Sequence, residues 1–223
     1  MKRDRLSIHI SDSAEIAVEE RRNGIKRIKN ISINDLLVCI KSSLREIKPV
    51  YHAVLPKNAL FYSCCPETGD FSAAIEYPYS KATVTYMATE YPDFPLPKLV
   101  FGFKVAGGKI RKVYLGVTGN GILRENSLMY TYPFSNVRED FSLCTGGNAL
   151  PEIKTPFSLS NMPDYIFSLP DNDDYFNIRN NRPQLGHREL MEHLADKTPE
   201  YYYSDILIPS GKTLADFYEE VSL

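Results

Sequence analysis

Tryptophan is absent from this chain of 223 residues, and histidine and cysteine each occur only four times. The cysteines are Cys39, Cys64, Cys65 and Cys144. They lack the paired C-x-x-C units of a structural zinc site and the histidines are scattered, so we expect no metal ion and no cofactor. No apolar run approaches the ~18 residues that a membrane-spanning helix needs. The basic first residues precede no long apolar stretch, so we expect no secretory signal and predict a reducing cytoplasm.

An excess of charge of one sign is also lacking, because 26 Lys and Arg face 28 Asp and Glu for a net charge of −2. Domains whose main partner is a nucleic acid are usually strongly basic, so we expect no nucleic acid partner, and no membrane partner either. A chain of this length with ordinary hydrophobic content can bury one large domain, or one domain with an added lobe.

The first 49 residues have the pattern of a small β-meander followed by a helix. The segments "LSIHI", "EIAVE" and "GIKRIKNI" partly alternate between apolar and polar residues and are separated by polar turns. Apolar residues then recur at helical spacing and predict a helix over residues 33–47, with Ser32 and Asp35 as a weak capping box. Cys39 lies beside the apolar stripe of this helix, which predicts a buried thiol.

Strands dominate from residue 50 onward, and this change of pattern sets a predicted boundary between domains 1–49 and 50–223. "KLVFGFKV" and "KIRKVYLGV" bracket "AGG" and predict a hairpin. "GHRELMEHLADK" predicts a helix, and "SGKTLADFYEEVSL" predicts a closing helix opened by Ser210. The segment "IPSGKTL" resembles a phosphate-binding P-loop, but Ile206 occupies the place of a required glycine, so no nucleotide site is expected.

The stretch "YPFSNVREDFSLCTGG" is the strongest candidate for a reactive site. Cys144 follows a predicted strand and precedes a loop, where Gly146 and Gly147 would let a partner chain approach closely. Asn136 offers an amide donor, but no histidine lies nearby in sequence. These local features leave two interpretations open: Cys144 is a nucleophile, or it is a structural cysteine beside a turn.

The segment "YPFSNVREDFSLC" resembles the active-site segment of ubiquitin-conjugating enzymes, in which the thioester-forming cysteine follows an asparagine by eight residues. Upstream, "YPDFPLPKLVF" resembles the Tyr-Pro and double-proline segment of that family. Downstream, "LPDNDDYF" resembles the acidic loop that faces the cysteine, and this maps an acid onto Asp174, with Asp173 an equal candidate. The chain is most similar to the prokaryotic family D, the PRTRC system protein B group, in "YHAVLPKNAL", "LCTGGNALPEI" and "SGKTLADFYEEV".

The resemblance implies an α+β, ubiquitin-conjugating-enzyme-like fold, with an antiparallel β-sheet, packed helices and an N-terminal β/α extension that continues the sheet. It implies that Cys144 carries a ubiquitin-like protein as a thioester and transfers it to an amine. Asn136 would brace the loop or donate to the oxyanion, and Asp174 or Asp173 would orient or deprotonate the amine. No cofactor is implied.

Partners follow from the same resemblance. Family D is similar to components of bacterial conjugation cassettes, often on plasmids or other mobile elements. The implied partners are a ubiquitin-like protein, a ThiF-like activating enzyme, a protein substrate and a metal-dependent deconjugating peptidase.

Two departures from the family pattern keep other functions open. The histidine of the family's His-Pro-Asn stretch is absent, so the loop needs another brace, for which Tyr132 is a candidate. The family's tryptophan is also missing. An inactive scaffold that binds a ubiquitin-like protein is therefore one alternative. An unrelated cysteine hydrolase is another, and it would need His52, His187 or His193 beside Cys144.

Overall fold

The computed structural model describes residues 5–11, 16–22, 25–43 and 53–223. The chain divides into two compact units, Met1–Val50 and Tyr51–Leu223. Both combine helices with antiparallel strands, so the α+β class is confirmed.

The first unit contains a three-stranded antiparallel sheet and one helix. Its elements are β1 (Arg5–Ile10), β2 (Ile16–Arg22), β3 (Ile25–Ile31) and α1 (Ile33–Ser43). The predicted capping box is present, because the Asp35 N–H donates to Ser32 Oγ at 3.1 Å. Residues 44–47 of the predicted helix lie outside the described residues.

Two predictions for this unit are wrong. Among the described residues its strands form a three-stranded sheet of their own in the order β1-β2-β3, whereas an extension of the sheet of residues 50–223 was predicted. The Cys39 thiol is exposed. Among the described residues, it lines an open apolar groove between α1 and the face of the sheet that carries Ile8 and Val18.

The second unit is built around a six-stranded antiparallel sheet in the order β11-β10-β9-β8-β5-β4, beside a separate β6-β7 hairpin. The strands are β4 (Ala59–Cys64), β5 (Phe71–Tyr77), β6 (Ser80–Tyr86), β7 (Thr89–Leu96), β8 (Leu99–Ala106), β9 (Lys109–Thr118), β10 (Leu128–Tyr130) and β11 (Pro209–Thr213). The predicted hairpin is confirmed: Ala106 pairs with Lys109, and Gly107 and Gly108 adopt the positive φ angles of 58° and 72° that a two-residue turn requires.

Three helices and several shorter helical turns cover this sheet. The helices are α2 (Met162–Phe167), α3 (His187–Leu194) and α4 (Leu214–Val221), and the turns are Pro156–Asn161, Ile178–Asn180 and Tyr202–Ile206. The predicted start of the closing helix at Ser210 is wrong. Ser210 lies in β11, and α4 begins after Thr213, whose hydroxyl accepts from the Asp216 N–H while the Asp216 carboxylate accepts in return.

Alternation along β8 divides the core between the two faces of the sheet. Leu99, Phe101 and Phe103 are fully buried on the face toward α2 and α3, whereas Val100 packs with α4 on the other face. The close approach of α4 depends on Gly102, because a Cβ at this position would overlap the Val221 side chain.

Candidate active site around Cys144

A tight backbone hairpin closes the eight-residue interval between Asn136 and Cys144. Val137 and Leu143 face each other in an antiparallel bridge. One residue further out, the Cys144 N–H donates to the Asn136 carbonyl oxygen at 2.7 Å. The spacing seen in the sequence therefore has a physical cause, since the hairpin brings the backbones of Asn136 and Cys144 side by side.

The sheet anchors one arm of this hairpin. The Leu115 N–H donates to the Phe141 carbonyl at 2.9 Å, and the Leu143 N–H donates to the Val113 carbonyl at 2.8 Å. The chain therefore follows the edge of β9 up to Leu143 and leaves it at Cys144. This agrees with the prediction that Cys144 lies where extended chain gives way to a loop.

Cys144 is partly exposed and borders a cleft of about 100 Å³. Asn136 and Asp174 line the same cleft. Gly146 has a φ of 59°, and a Cβ at Gly147 would meet no atom within 4 Å, so the loop after the thiol faces open space. The structure thus places three of the four predicted site residues around one cavity that another chain can reach.

Asp174 and Asp173 have different surroundings, although both side chains are exposed. The Asp174 carbonyl accepts from the Asn136 N–H at 2.6 Å, and its carboxylate accepts from the Asn172 amide at 3.2 Å. The Asp173 carboxylate accepts from Tyr86 Oη at 2.8 Å and lies 3.0 Å from His187 Nδ1. Asp173 does not line the Cys144 cleft, so Asp174 is the better placed of the two acids.

Asp171 is the carboxylate that braces the loop, and sequence reasoning missed it. Its Oδ1 accepts from the Ser135 hydroxyl and from the Asn136 side-chain amide. The Asp171 backbone is itself fixed to the end of β6, since its N–H donates to the Thr85 carbonyl at 2.7 Å and its carbonyl accepts from the Met87 N–H at 2.8 Å. Asp171 therefore ties the Asn136 loop to the β6-β7 hairpin and supplies the brace for which Tyr132 was the predicted candidate.

Tyr132 has a different role, because its half-buried ring lies beside the cleft and packs against the core. It packs edge-on against Phe134 with a centroid distance of 5.5 Å. Burial, assisted by the negative charge of Asp171, raises the pKa of Tyr132 well above its ordinary range, so the phenol stays neutral. Tyr132 therefore fills space beneath the loop.

His187, at the start of α3, extends the polar contacts of Asp171 inward. Its side chain is 5% exposed and its ring stacks on Phe176 with a centroid distance of 4.6 Å. Nδ1 faces Asp173, whereas Nε2 is buried without a hydrogen-bond partner and lies 3.7 Å from Asp171 Oδ2. A continuous row of polar groups therefore runs from Tyr86 through Asp173, His187 and Asp171 to the Asn136 amide.

Arg138 lies close enough to the candidate nucleophile for the two charges to interact. Its guanidinium lies 4.3 Å above the Tyr175 ring centre and donates to Tyr175 Oη at 2.6 Å. That hydrogen bond is the main reason why the pKa of Arg138 is raised, and the negative charge of a Cys144 thiolate contributes in the same direction.

Other chemistries find less support in this site. Neither His187 nor His193 donates to or accepts from Cys144; His187 faces Asp173, and His193 Nε2 lies 3.1 Å from Tyr201 Oη. His52 lies outside the described residues. In the described ranges, no three His, Cys, Asp or Glu side chains come together in a way that could hold a metal ion.

Comparisons of the chain with protein-family models, with curated proteins and with solved structures gave no match. The resemblance of the Cys144 segment to conjugating enzymes therefore stays a prediction. In the described part of the chain, no helix has both the length and the apolar content needed to cross a membrane.

The buried carboxyl of Asp171 predicts a specific pH dependence of stability. Burial raises the pKa of Asp171 above its ordinary value, and the hydrogen bond from Ser135 and the charge of His187 only partly oppose this. The folded chain then holds this proton more tightly than the unfolded chain. The stabilisation that this proton gives to the folded chain is therefore fully present below the pKa of Asp171 in the unfolded chain, about 3.9. It is lost as the pH rises through the higher pKa of Asp171 in the folded chain.

We expect Asp171→Asn to gain stability relative to the wild type as the pH rises over that window, measured as the free energy of unfolding in urea at a series of pH values. Asp173→Asn is the matched control with the opposite sign, since the hydrogen bond from Tyr86 is the main cause of the lowered pKa of Asp173. Asp173→Asn should therefore lose stability relative to the wild type as the pH rises. Parallel pH profiles for the wild type and Asp171→Asn would contradict this assignment.

Proposed function

We propose that this chain is a ubiquitin-conjugating-like enzyme of the prokaryotic family D, in which Cys144 carries a ubiquitin-like protein as a thioester. The observation that carries the proposal is the hairpin, in which the Cys144 N–H donates to the Asn136 carbonyl at 2.7 Å. This bond holds together the asparagine and the cysteine that the family pattern spaces eight residues apart, and both line one open cleft. An antiparallel sheet with a cysteine-bearing loop at its edge is compatible with a conjugating-enzyme-like fold.

The first proposed step is transthiolation. The Cys144 thiolate attacks the carbonyl carbon of the thioester on a ThiF-like activating enzyme, and the sulfur of that enzyme leaves as a thiolate. One thioester is exchanged for another, so the step is close to balanced and needs little catalytic assistance beyond a formed thiolate.

The second proposed step is aminolysis, in which an amine nitrogen of the protein substrate attacks the same carbonyl and Cys144 leaves as a thiolate. The amine must lose a proton, for which Asp174 in the cleft is the acceptor. The developing oxyanion needs a donor. The Asn136 amide has two N–H bonds, of which one is held by Asp171, so the other can be directed at the oxyanion.

The test is a thioester assay in which the chain is incubated with ATP and with the activating enzyme and ubiquitin-like protein encoded beside it. We expect a thiol-sensitive adduct by intact mass, lost in Cys144→Ala and replaced by a thiol-resistant ester in Cys144→Ser. Cys64→Ala is the matched control, because Cys64 is partly exposed but belongs to β4 and not to the cleft, and it should leave the adduct unchanged.

The second candidate is a scaffold in the same cytoplasmic cassette that binds the ubiquitin-like protein without reacting. The missing histidine and tryptophan of the family pattern favour it. A charged activating enzyme, measurable binding of the ubiquitin-like protein and no adduct on Cys144 would establish the scaffold in place of the enzyme.

A further inference from the structure

The outer edge of β9 is covered only in part. β10 pairs with its last residues, and residues 141–143 pair with its middle through the Val113 and Leu115 bonds. At the turn before β9, Ile153 N–H donates to the Gly108 carbonyl at 2.8 Å. Residues 144–151 leave the edge between these points. They enclose an open groove of about 850 Å³ against residues 109–113, and we call this space the β9-edge groove.

No other described segment pairs with the outer edge of β9 at residues 110–112. The gap spans about 10 Å between the two points where the chain covers this edge, so two or three residues of an extended peptide can lie along it. Ile110, Leu143 and Leu150 contribute apolar surface to the groove, which suits the alternate side chains of such a peptide.

The charge of the β9-edge groove is predominantly basic. Lys109, Arg111 and Lys112 project from β9, and in the described part of the chain none of them has an ion-pair partner within 4.0 Å. Two acids line the groove. Asp140 already accepts from the Ser142 hydroxyl at 2.6 Å and from the Ser142 N–H at 3.0 Å, so Glu152 is the one acid left to neutralise the basic side chains of the groove. The groove therefore offers more positive charge than the chain itself neutralises.

We propose that the β9-edge groove binds an acidic, extended peptide segment of a partner protein, whose carboxylates face Lys109, Arg111 and Lys112. A peptide fits better than a nucleic acid, because no aromatic side chain lines the groove and single-stranded nucleic acids depend on stacking against aromatic rings. Leu143 and Thr145, the chain neighbours of Cys144, lie in its wall, whereas Cys144 itself lines the separate cleft that holds Asn136 and Asp174. Binding requires no thioester chemistry and is independent of the proposed enzyme activity.

The probe is a fluorescein-labelled nine-residue peptide in which glutamate and valine alternate, measured by fluorescence anisotropy with the full chain. We expect saturable binding that weakens about tenfold between about 50 and about 300 mM NaCl, since rim charges are screened by salt. The glutamine version of the peptide should bind at least about tenfold more weakly.

Charge reversal locates the site. Arg111→Glu together with Lys112→Glu should weaken binding at least about tenfold, whereas Lys81→Glu, at an exposed strand lysine of β6 away from the groove, should have little effect. Cys144→Ala should bind like the wild type. Hydrogen exchange should show new protection of backbone amides in residues 109–113 when the peptide is bound.

Three outcomes would overturn the proposal. Absence of binding by the folded wild type at about 1 mM peptide would assign the basic residues to protection of an edge strand against aggregation. Tighter binding of a single-stranded DNA twelve-mer would make the groove a nucleic acid site. Binding with protection outside residues 109–113 would place the peptide elsewhere.

Discussion

In the proposed reaction, Asn136→Gly is expected to slow transfer of the acyl group from Cys144 to an amine by about 10²–10³-fold, the loss seen when an oxyanion donor is removed from other enzymes. Thioester formation on Cys144 should change only several-fold, because the exchange of one thioester for another needs little assistance. The measurement is single-turnover discharge of a preformed Cys144 thioester to a lysine donor, with loading from the activating enzyme measured separately.

Glycine is the informative substitution because Asn136 has a φ of 63°, in the left-handed region. Glycine tolerates this conformation and keeps both backbone bonds of the residue, to Cys144 and to Asp174, while the amide that Asp171 orients is lost. Alanine at the same position should add about 1–2 kcal/mol of destabilisation, since it must adopt the left-handed conformation.

Asn148→Ala is the control for Asn136→Gly. Asn148 lines the same cleft, but its side-chain amide donates to the Thr145 carbonyl at 2.9 Å. It should discharge within a few-fold of the wild type. Equal losses of loading and discharge in Asn136→Gly would make Asn136 a purely structural residue, and normal discharge would remove it from the reaction.

Local patterns in the sequence were sufficient for several elements of the fold. The Gly107–Gly108 turn and α3 depend on nearby residues alone, and they are present where the patterns predict them. The start of α4 was misplaced because Ser210 and Thr213 both resemble helix caps. Only the pairing of β11 with the distant β10 makes Ser210 a strand residue.

The role of Asp171 could not be read from the sequence for a related reason. The run "DNDD" offers three acids within four residues, and turn propensity does not distinguish them. The choice is made by a parallel bridge between Asp171 and Tyr86, which are 85 residues apart and whose pairing turns the first acid toward Ser135 and Asn136. The one local signal that Asp171 differs from the other acids was Pro170, which directly precedes it. A proline favours extended chain in the residue before it, here Leu169.

The Cys144 hairpin also depends on the opposite face of the sheet. Phe141 has a φ of 64°, which is strained for a bulky side chain, so surrounding contacts must hold it in place. Its ring meets Phe217 of α4 edge-on at a centroid distance of 5.2 Å. Phe217 is fully buried and also packs against Tyr114 of β9.

Phe217→Ala is therefore expected to lower the free energy of unfolding by about 3–5 kcal/mol, the usual cost of removing a buried phenylalanine. The measurement is urea unfolding, with the midpoint expected to fall and the slope to stay constant. Glu219→Ala, at an exposed position of the same helix, should stay within about 0.5 kcal/mol of the wild type.

The same substitution should expose the link between α4 and the thiol. Because Phe217 supports Phe141, its loss should let the hairpin open, and alkylation of Cys144 by iodoacetamide should become faster in urea-free buffer, where the variant is still folded. Alkylation of Cys64, in β4, should change less and serves as the internal reference. If Phe217→Ala is destabilised but the alkylation rate of Cys144 is unchanged, the sheet alone holds the hairpin closed, through the backbone bonds of Leu115 and Leu143.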